Sequence, residues 1–102
     1  MPEQIVFGTH PNLIDHSGTV TAANTSQVVI IANGQRKGFS IQNQHASAVL
    51  WIIENGVAAI AGQPSIQLAA GQTYTTPPFS GGQKAVSVLS ATAGLPFAAR
   101  EF

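Results

Sequence analysis

The residues able to do chemistry are few, and they are spread thinly along the chain. Three histidines are present, His10, His16 and His45, and one aspartate, Asp15. His10, Asp15 and His16 lie within seven positions, and with His45 arriving from elsewhere they would form a candidate metal set. Their spacing argues otherwise. Adjacent side chains on extended backbone point to opposite sides, so Asp15 and His16 face one ion only through a turn. None of the two-histidine zinc spacings occurs. The plainer reading is a polar arm meeting solvent or a neighbouring subunit. A Ser-His-Asp triad lacks a Gly-x-Ser-x-Gly elbow, and its only aspartate sits in irregular chain. Carboxylate pairs for glycoside hydrolysis would draw on Glu3, Asp15, Glu54 and Glu101, two of them near the ends of the sequence. Gly81-Gly82 before Lys84 lacks the full phosphate-loop spacing. With no cysteine there is no thiolate nucleophile or ligand and no disulfide. The expectation is a protein that is not an enzyme, with no catalytic residue, metal or cofactor.

Charge narrows the partners. Eight of 102 residues are charged, four of each sign, and the net charge is zero. An average soluble domain is about 25% charged. A nucleic-acid surface or a polybasic membrane anchor needs clustered Lys and Arg. The sole adjacent basic pair is Arg36-Lys37, read as a solvated loop tip or the partner of a neighbour's carboxylate. The longest strongly apolar run, Ala48 to Ile53, is far short of a bilayer span of about 20 residues. Met1-Pro2-Glu3-Gln4 lacks the charged and apolar regions of a secretory signal, so synthesis in a cytoplasm is expected. An uncharged surface promotes association. The expected cover of this one is other protein.

Elements to position these residues come from short β-rich runs punctuated by Gly, Asn and Pro. Residues 1–18 show no sustained period and read as an irregular N-terminal arm. From residue 19 to 102 the sequence reads as one domain. Runs occur at Thr19–Ala22, Gln27–Ala32, Phe39–Asn43, Val49–Ile53, Ile66–Leu68, Thr73–Thr76, Ala85–Ser90 and Leu95–Phe102. Asn33-Gly34 and Asn55-Gly56 mark turns, and Val57–Ile60 is expected as the return strand after the second. Pro77-Pro78 and Ser80-Gly81-Gly82 make a breaker-rich loop. Turn signals every 8–12 residues predict an all-β fold, an antiparallel β-sandwich or jelly-roll-like barrel of about eight short strands. A helix over 46–61 is disfavoured by Gly56 and by five β-branched residues. Alternation selects a core of Val28, Ile30, Phe39, Ile41, Val49, Trp51, Ile53, Ile66, Leu68, Val86 and Val88.

The stretch from Thr19 to Glu101 resembles small β-sandwich structural proteins of tailed bacteriophages. The likeness is carried by Thr19-Val20-Thr21, Gln27-Val28, and Asn33 and Arg36 leading into Phe39-Ser40-Ile41-Gln42-Asn43. It continues through Ala46-Ser47, the run Val49–Ile53, then Ile66, Leu68, Gly71 and Tyr74, and Val86-Ser87-Val88-Leu89-Ser90-Ala91. The resemblance implies a virion component made in a bacterial host. Such proteins serve as capsid decoration (cement) proteins, commonly trimers, or as neck, tail or spike parts. It implies that this chain partners itself and a major capsid protein. The alternative is a glycan- or host-surface-binding module using Trp51, Tyr74 or Phe79. The interface residues expected on the arm are His10, Pro11, Leu13, Ile14 and His16. Arg36, Tyr74 and Phe79 are expected to join them.

Overall fold

Alternation along Phe39–Asn43 sets the frame of the structure. In the computed structural model, which describes residues 14–76 and 83–102, Phe39, Ile41 and Asn43 are all buried while Ser40 and Gln42 are half-exposed. Nine strands occur among the described residues, all paired antiparallel: β1 (Ile14–Asp15), β2 (Gly18–Thr19), β3 (Gln27–Ile30), β4 (Phe39–Asn43), β5 (Leu50–Ile53), β6 (Ile66–Leu68), β7 (Thr73–Thr75), β8 (Val86–Leu89) and β9 (Pro96–Glu101). They form two sheets. In the first, β9 lies between β4 and the short β1 and β2, and β7 borders β4 on its far side. The second runs β3-β8-β5-β6. The fold is all-β, consistent with a sandwich.

The facing sides of the sheets supply the core. Phe39, Ile41, Phe97 and Ala99 come from the first sheet, and Ile30, Leu50, Ile52, Leu68, Val86 and Val88 from the second. Val20 and Leu95, in connections, complete it, with Val29, Ala48, Ile66 and Tyr74 packed at its margin. Of the residues that alternation selects, Ile30, Phe39, Ile41, Leu68, Val86 and Val88 are buried here.

Three expectations are corrected. The run Val49–Ile53 has the opposite phase: Leu50 and Ile52 point between the sheets, while Trp51 and Ile53 lie on the outer face, where Ile53 is nonetheless buried in a second small core, and Val49 is half-buried. A wholly apolar run carries no phase of its own. Pairing sets it, with Leu50 opposite Leu68, and Ile52 opposite both Ile66 and Val88. Val28 is no core residue but 57% exposed. It pairs with Ser87 on the outer face of an edge strand, and a register shift lets Ile30 turn inward. Val57–Ile60 forms no return strand. Gly56, at φ +84°, starts a loop over 54–65 that folds across the outer face. There Ala59 packs with Ile53, Leu89 and Trp51, and its N–H donates to Ser26 Oγ at 2.9 Å. The partners of β5 are β6 and β8 instead.

The arm is also shorter than the sequence suggests. Residues 14–19 run along β9, with Ile14 opposite Glu101 and Thr19 opposite Pro96, so the sheet reaches back at least to Ile14. His10, Pro11, Leu13, Phe79 and the breaker-rich loop lie outside the described residues.

Asn43 ends the inward row of β4 and is fully buried. Its Nδ2 donates to Ala48 O at 2.8 Å and to Leu68 O at 3.0 Å, and its Oδ1 accepts from His45 N at 2.9 Å. One side chain thus joins the first sheet, the 44–49 loop and the second sheet. Replacing a buried partner strands the groups it served, at about 1–3 kcal/mol each. Asn43→Ala is expected to lower unfolding free energy by at least about 2 kcal/mol in urea titration. Gln42→Ala, on the outer face, should stay within about 0.5 kcal/mol.

Candidate functional site

Strand alternation also decides where the charges go. On β9, Phe97 and Ala99 point inward, and the same phase carries Glu101 inward at the end of the strand, 3% exposed. A lone carboxylate there would be costly to bury. Glu101 is met by three donors. His16, held between β1 and β2 by its N–H to Ala99 O at 2.7 Å, donates Nε2–H to Glu101 Oε1 at 2.9 Å. Asn33 Nδ2 donates to Oε2 at 3.1 Å, and Arg36 Nη1 lies 3.6 Å from the same oxygen.

Arg36 is 2% exposed, which corrects the expectation of a solvated loop tip at an interface. The turn at Asn33-Gly34 folds it back: Asn33 O accepts from Arg36 N at 3.2 Å. Its guanidinium then donates to Ile31 O at 3.0 Å and to Lys84 O, and lies 5.7 Å from the centre of the Phe39 ring. Next to it, Gly38 has no room for a side chain, because a Cβ there would fall on the Thr76 hydroxyl and the Phe102 ring.

Burial alone would raise the Glu101 carboxyl. The hydrogen bonds from His16 and Asn33 and the charge of Arg36 outweigh it and hold the group below the ordinary carboxylate range. Asp15 is likewise lowered, by the hydroxyl and N–H of Ser17 at 2.6 and 3.0 Å. Tyr74 faces inward beside Phe39, with ring centres 5.8 Å apart, and its hydroxyl donates a hydrogen bond to Glu54 Oε1 at 3.0 Å. Burial first, then that bond, pushes the phenol up.

A buried carboxylate holding a histidine is half of a nucleophilic triad. The other half is missing among the described residues: no hydroxyl is bonded to the second ring nitrogen of His16. The Ser17 hydroxyl is committed to Asp15, and it accepts from Ala99 N at 3.0 Å. His45 lies at the opposite end of the sandwich from His16, where its Nδ1 accepts from Ser47 N and Ala48 N. No group of three His, Cys, Asp or Glu able to hold a metal ion occurs among the described residues. The Glu101 cluster is a clamp joining β1, β9 and the 31–38 turn.

The structure therefore brings His16 and Arg36 together around Glu101 and sets Tyr74 apart, beside Phe39. Ile14 stands at the sheet margin, 44% exposed. Sequence reasoning overlooked Glu101 and Asn43. The signal was available in their phase, two residues beyond Ala99 and Ile41.

The larger pattern is the position of charge. All seven Asp, Glu, Lys and Arg of the described residues lie at one end of the sandwich: Asp15, Arg100 and Glu101 on β1 and β9, Arg36 and Lys37 before β4, Glu54 after β5, and Lys84 before β8. The four strands of the second sheet carry none, and neither does any residue from Asn55 to Gln83. No family model matches this chain, and neither does any curated protein or solved structure.

The acid limb of stability tests the clamp. A lowered carboxyl adds stability above the unfolded value, about 4.3, and loses it as pH falls through the folded value. Glu101→Gln keeps the shape but discards the charge and one acceptor, and should cost about 1–3 kcal/mol at pH 7. The loss should shrink below pH 4 in urea titrations, as the wild-type carboxyl itself becomes protonated.

Proposed function

We propose that this chain is a non-enzymatic virion structural protein that decorates a phage capsid as a homo-oligomer and stabilises it. The confinement of charge to one end carries the reading. Drying a charged surface costs several kcal/mol per ion unless each is paired, whereas an uncharged sheet can be covered cheaply. Interface cores are depleted in Lys, Glu and Asp. Here the four strands of a whole sheet and the chain from Asn55 to Ser65 are free of them, and Val28, Val57 and Ile60 stand exposed there. The buried groups around Asn43, Ser90 and Glu101 serve folding, with their donors and acceptors turned on one another, which favours an assembly part over an enzyme, while Glu54 Oε2 is buried without a hydrogen-bond partner among the described residues. A protein that binds only the assembled shell stabilises it by mass action.

Light scattering and co-sedimentation test this. The pure chain should exceed its monomer mass of 10.5 kDa. It should also pellet with shells of the major capsid protein encoded in the same genome and raise their melting temperature. A monomer that stays in the supernatant overturns the proposal.

A further inference from the structure

Two Asn-Gly pairs stand in turns, Asn33-Gly34 and Asn55-Gly56. An asparagine before glycine can lose its side-chain amide without an enzyme. The glycine's backbone nitrogen attacks the asparagine Cγ and a new C–N bond forms. The side-chain nitrogen leaves as ammonia, taking the proton that the glycine nitrogen gives up. Water then opens the cyclic imide at either carbonyl, and aspartate or iso-aspartate results. Glycine permits the attack because it has no side chain to crowd the approach.

The two turns share one feature of this chemistry and differ in another. In both, a backbone N–H two residues on donates to the amide oxygen: Gln35 N to Asn33 Oδ1 at 3.0 Å, and Val57 N to Asn55 Oδ1 at 3.2 Å. Negative charge develops on that oxygen during the attack, and a donor already aimed at it stabilises the charge. The attacking nitrogens differ. Gly56 N–H is spent on Ala85 O at 3.0 Å. Gly34 is exposed, and its N–H has no hydrogen-bond partner among the described residues. The Gly56 bond cannot survive loss of the proton it donates, and breaking it first slows the step by about ten-fold. The bond from Asn33 Nδ2 to Glu101 Oε2 at 3.1 Å can survive the attack, because that nitrogen stays a donor until it leaves.

We propose that Asn33 is a self-deamidation site of the folded protein, that Asn55 is held back, and that conversion of Asn33 opens the Glu101 clamp. The inference is independent of the assembly reading. Asn33 is a donor to Glu101, whereas an aspartate oxygen in its place sets acceptor against acceptor. Glu101 loses a hydrogen bond and gains a like charge beside it. The Arg36 guanidinium then serves two carboxylates instead of one. Iso-aspartate also adds a carbon to the main chain between Asn33 N, which donates to Gln83 O, and the carbonyl that accepts from Arg36 N. The turn that folds Arg36 inward is re-spaced, and β1, tied to Glu101 through His16, loosens.

Peptide mapping by mass spectrometry tests the site in folded wild type held in mildly alkaline buffer, in the same chain in urea, and in Gly34→Ala. Gly34 has no positive φ and nothing within 4 Å of where a Cβ would stand, so alanine fits there and crowds only the attacking nitrogen. Asn33 should convert about ten-fold faster than Asn55 in the folded chain, and Gly34→Ala should slow it about as much. In urea the two rates should come together. Asn33 unconverted, or no faster than Asn55 when folded, overturns the site, and a gap that persists in urea overturns the part given to the fold. Converted protein, separated by ion exchange, should show a lower urea midpoint at neutral pH and faster exchange of the His16 amide. Asn33→Asp should match it, with the deficit shrinking in acid as the carboxylates protonate. Should Asn33→Asp not fold, the separated product supplies the measurement. An unchanged midpoint at full conversion overturns the opening of the clamp.

Discussion

The buried amide of Asn43 is the constraint on which the two-sheet arrangement turns. Apolar contact holds the sheets together but is not directional, and many offsets of one sheet over the other would bury similar area. Hydrogen bonds are directional. Asn43 spends both amide hydrogens and its oxygen on Ala48, Leu68 and His45, and its backbone bonds Gln72 and Gly71. Only one offset satisfies all of these. At the same end Ser90, also fully buried, donates to Val49 O and accepts from Thr92 N. At the other end Glu101 does the equivalent work with His16, Asn33 and Arg36. The core is an apolar slab closed at each end by satisfied polar groups, and these define its length and register.

The two closures differ in kind, and the difference polarises the molecule. Asn43 and Ser90 are neutral, and the loops around them carry no Asp, Glu, Lys or Arg. Glu101 is charged, so it needs Arg36, which in turn needs the carbonyls of Ile31 and Lys84. Glu101 and Arg36 are thereby tied to one end, where the other charged side chains of the described residues also lie.

Strand positions were legible in the sequence because turn chemistry and β-branched runs mark them. The phase of β4 was legible too, since Ser40 and Gln42 alternate with Phe39 and Ile41. The phase of β5 was not: Leu50-Trp51-Ile52-Ile53 is apolar on both faces, and only pairing with β6 and β8 decides it. The 54–65 loop explains why both faces could be apolar, since it buries the outer one. The Glu101 clamp was hidden by distance along the chain. His16 and Glu101 lie 85 residues apart, and composition gives no hint that Arg36 turns inward. Val28 was misplaced because β-branched runs look alike on edge and central strands.

The same loop accounts for what is left uncovered. It leaves β5 after Ile53, packs Ala59 against Ile53, Trp51 and Leu89, and is anchored by Ser26 just before β3. Its cover ends there. Val28, two residues further on the same face, is 57% exposed among the described residues, and Ile31 stands beyond the last paired residue. A chain of this size buries only about 60–65% of its unfolded surface, so part of a sandwich's outer face stays open. Among the described residues β3 carries neither charge nor proline, the features that keep an open edge solitary.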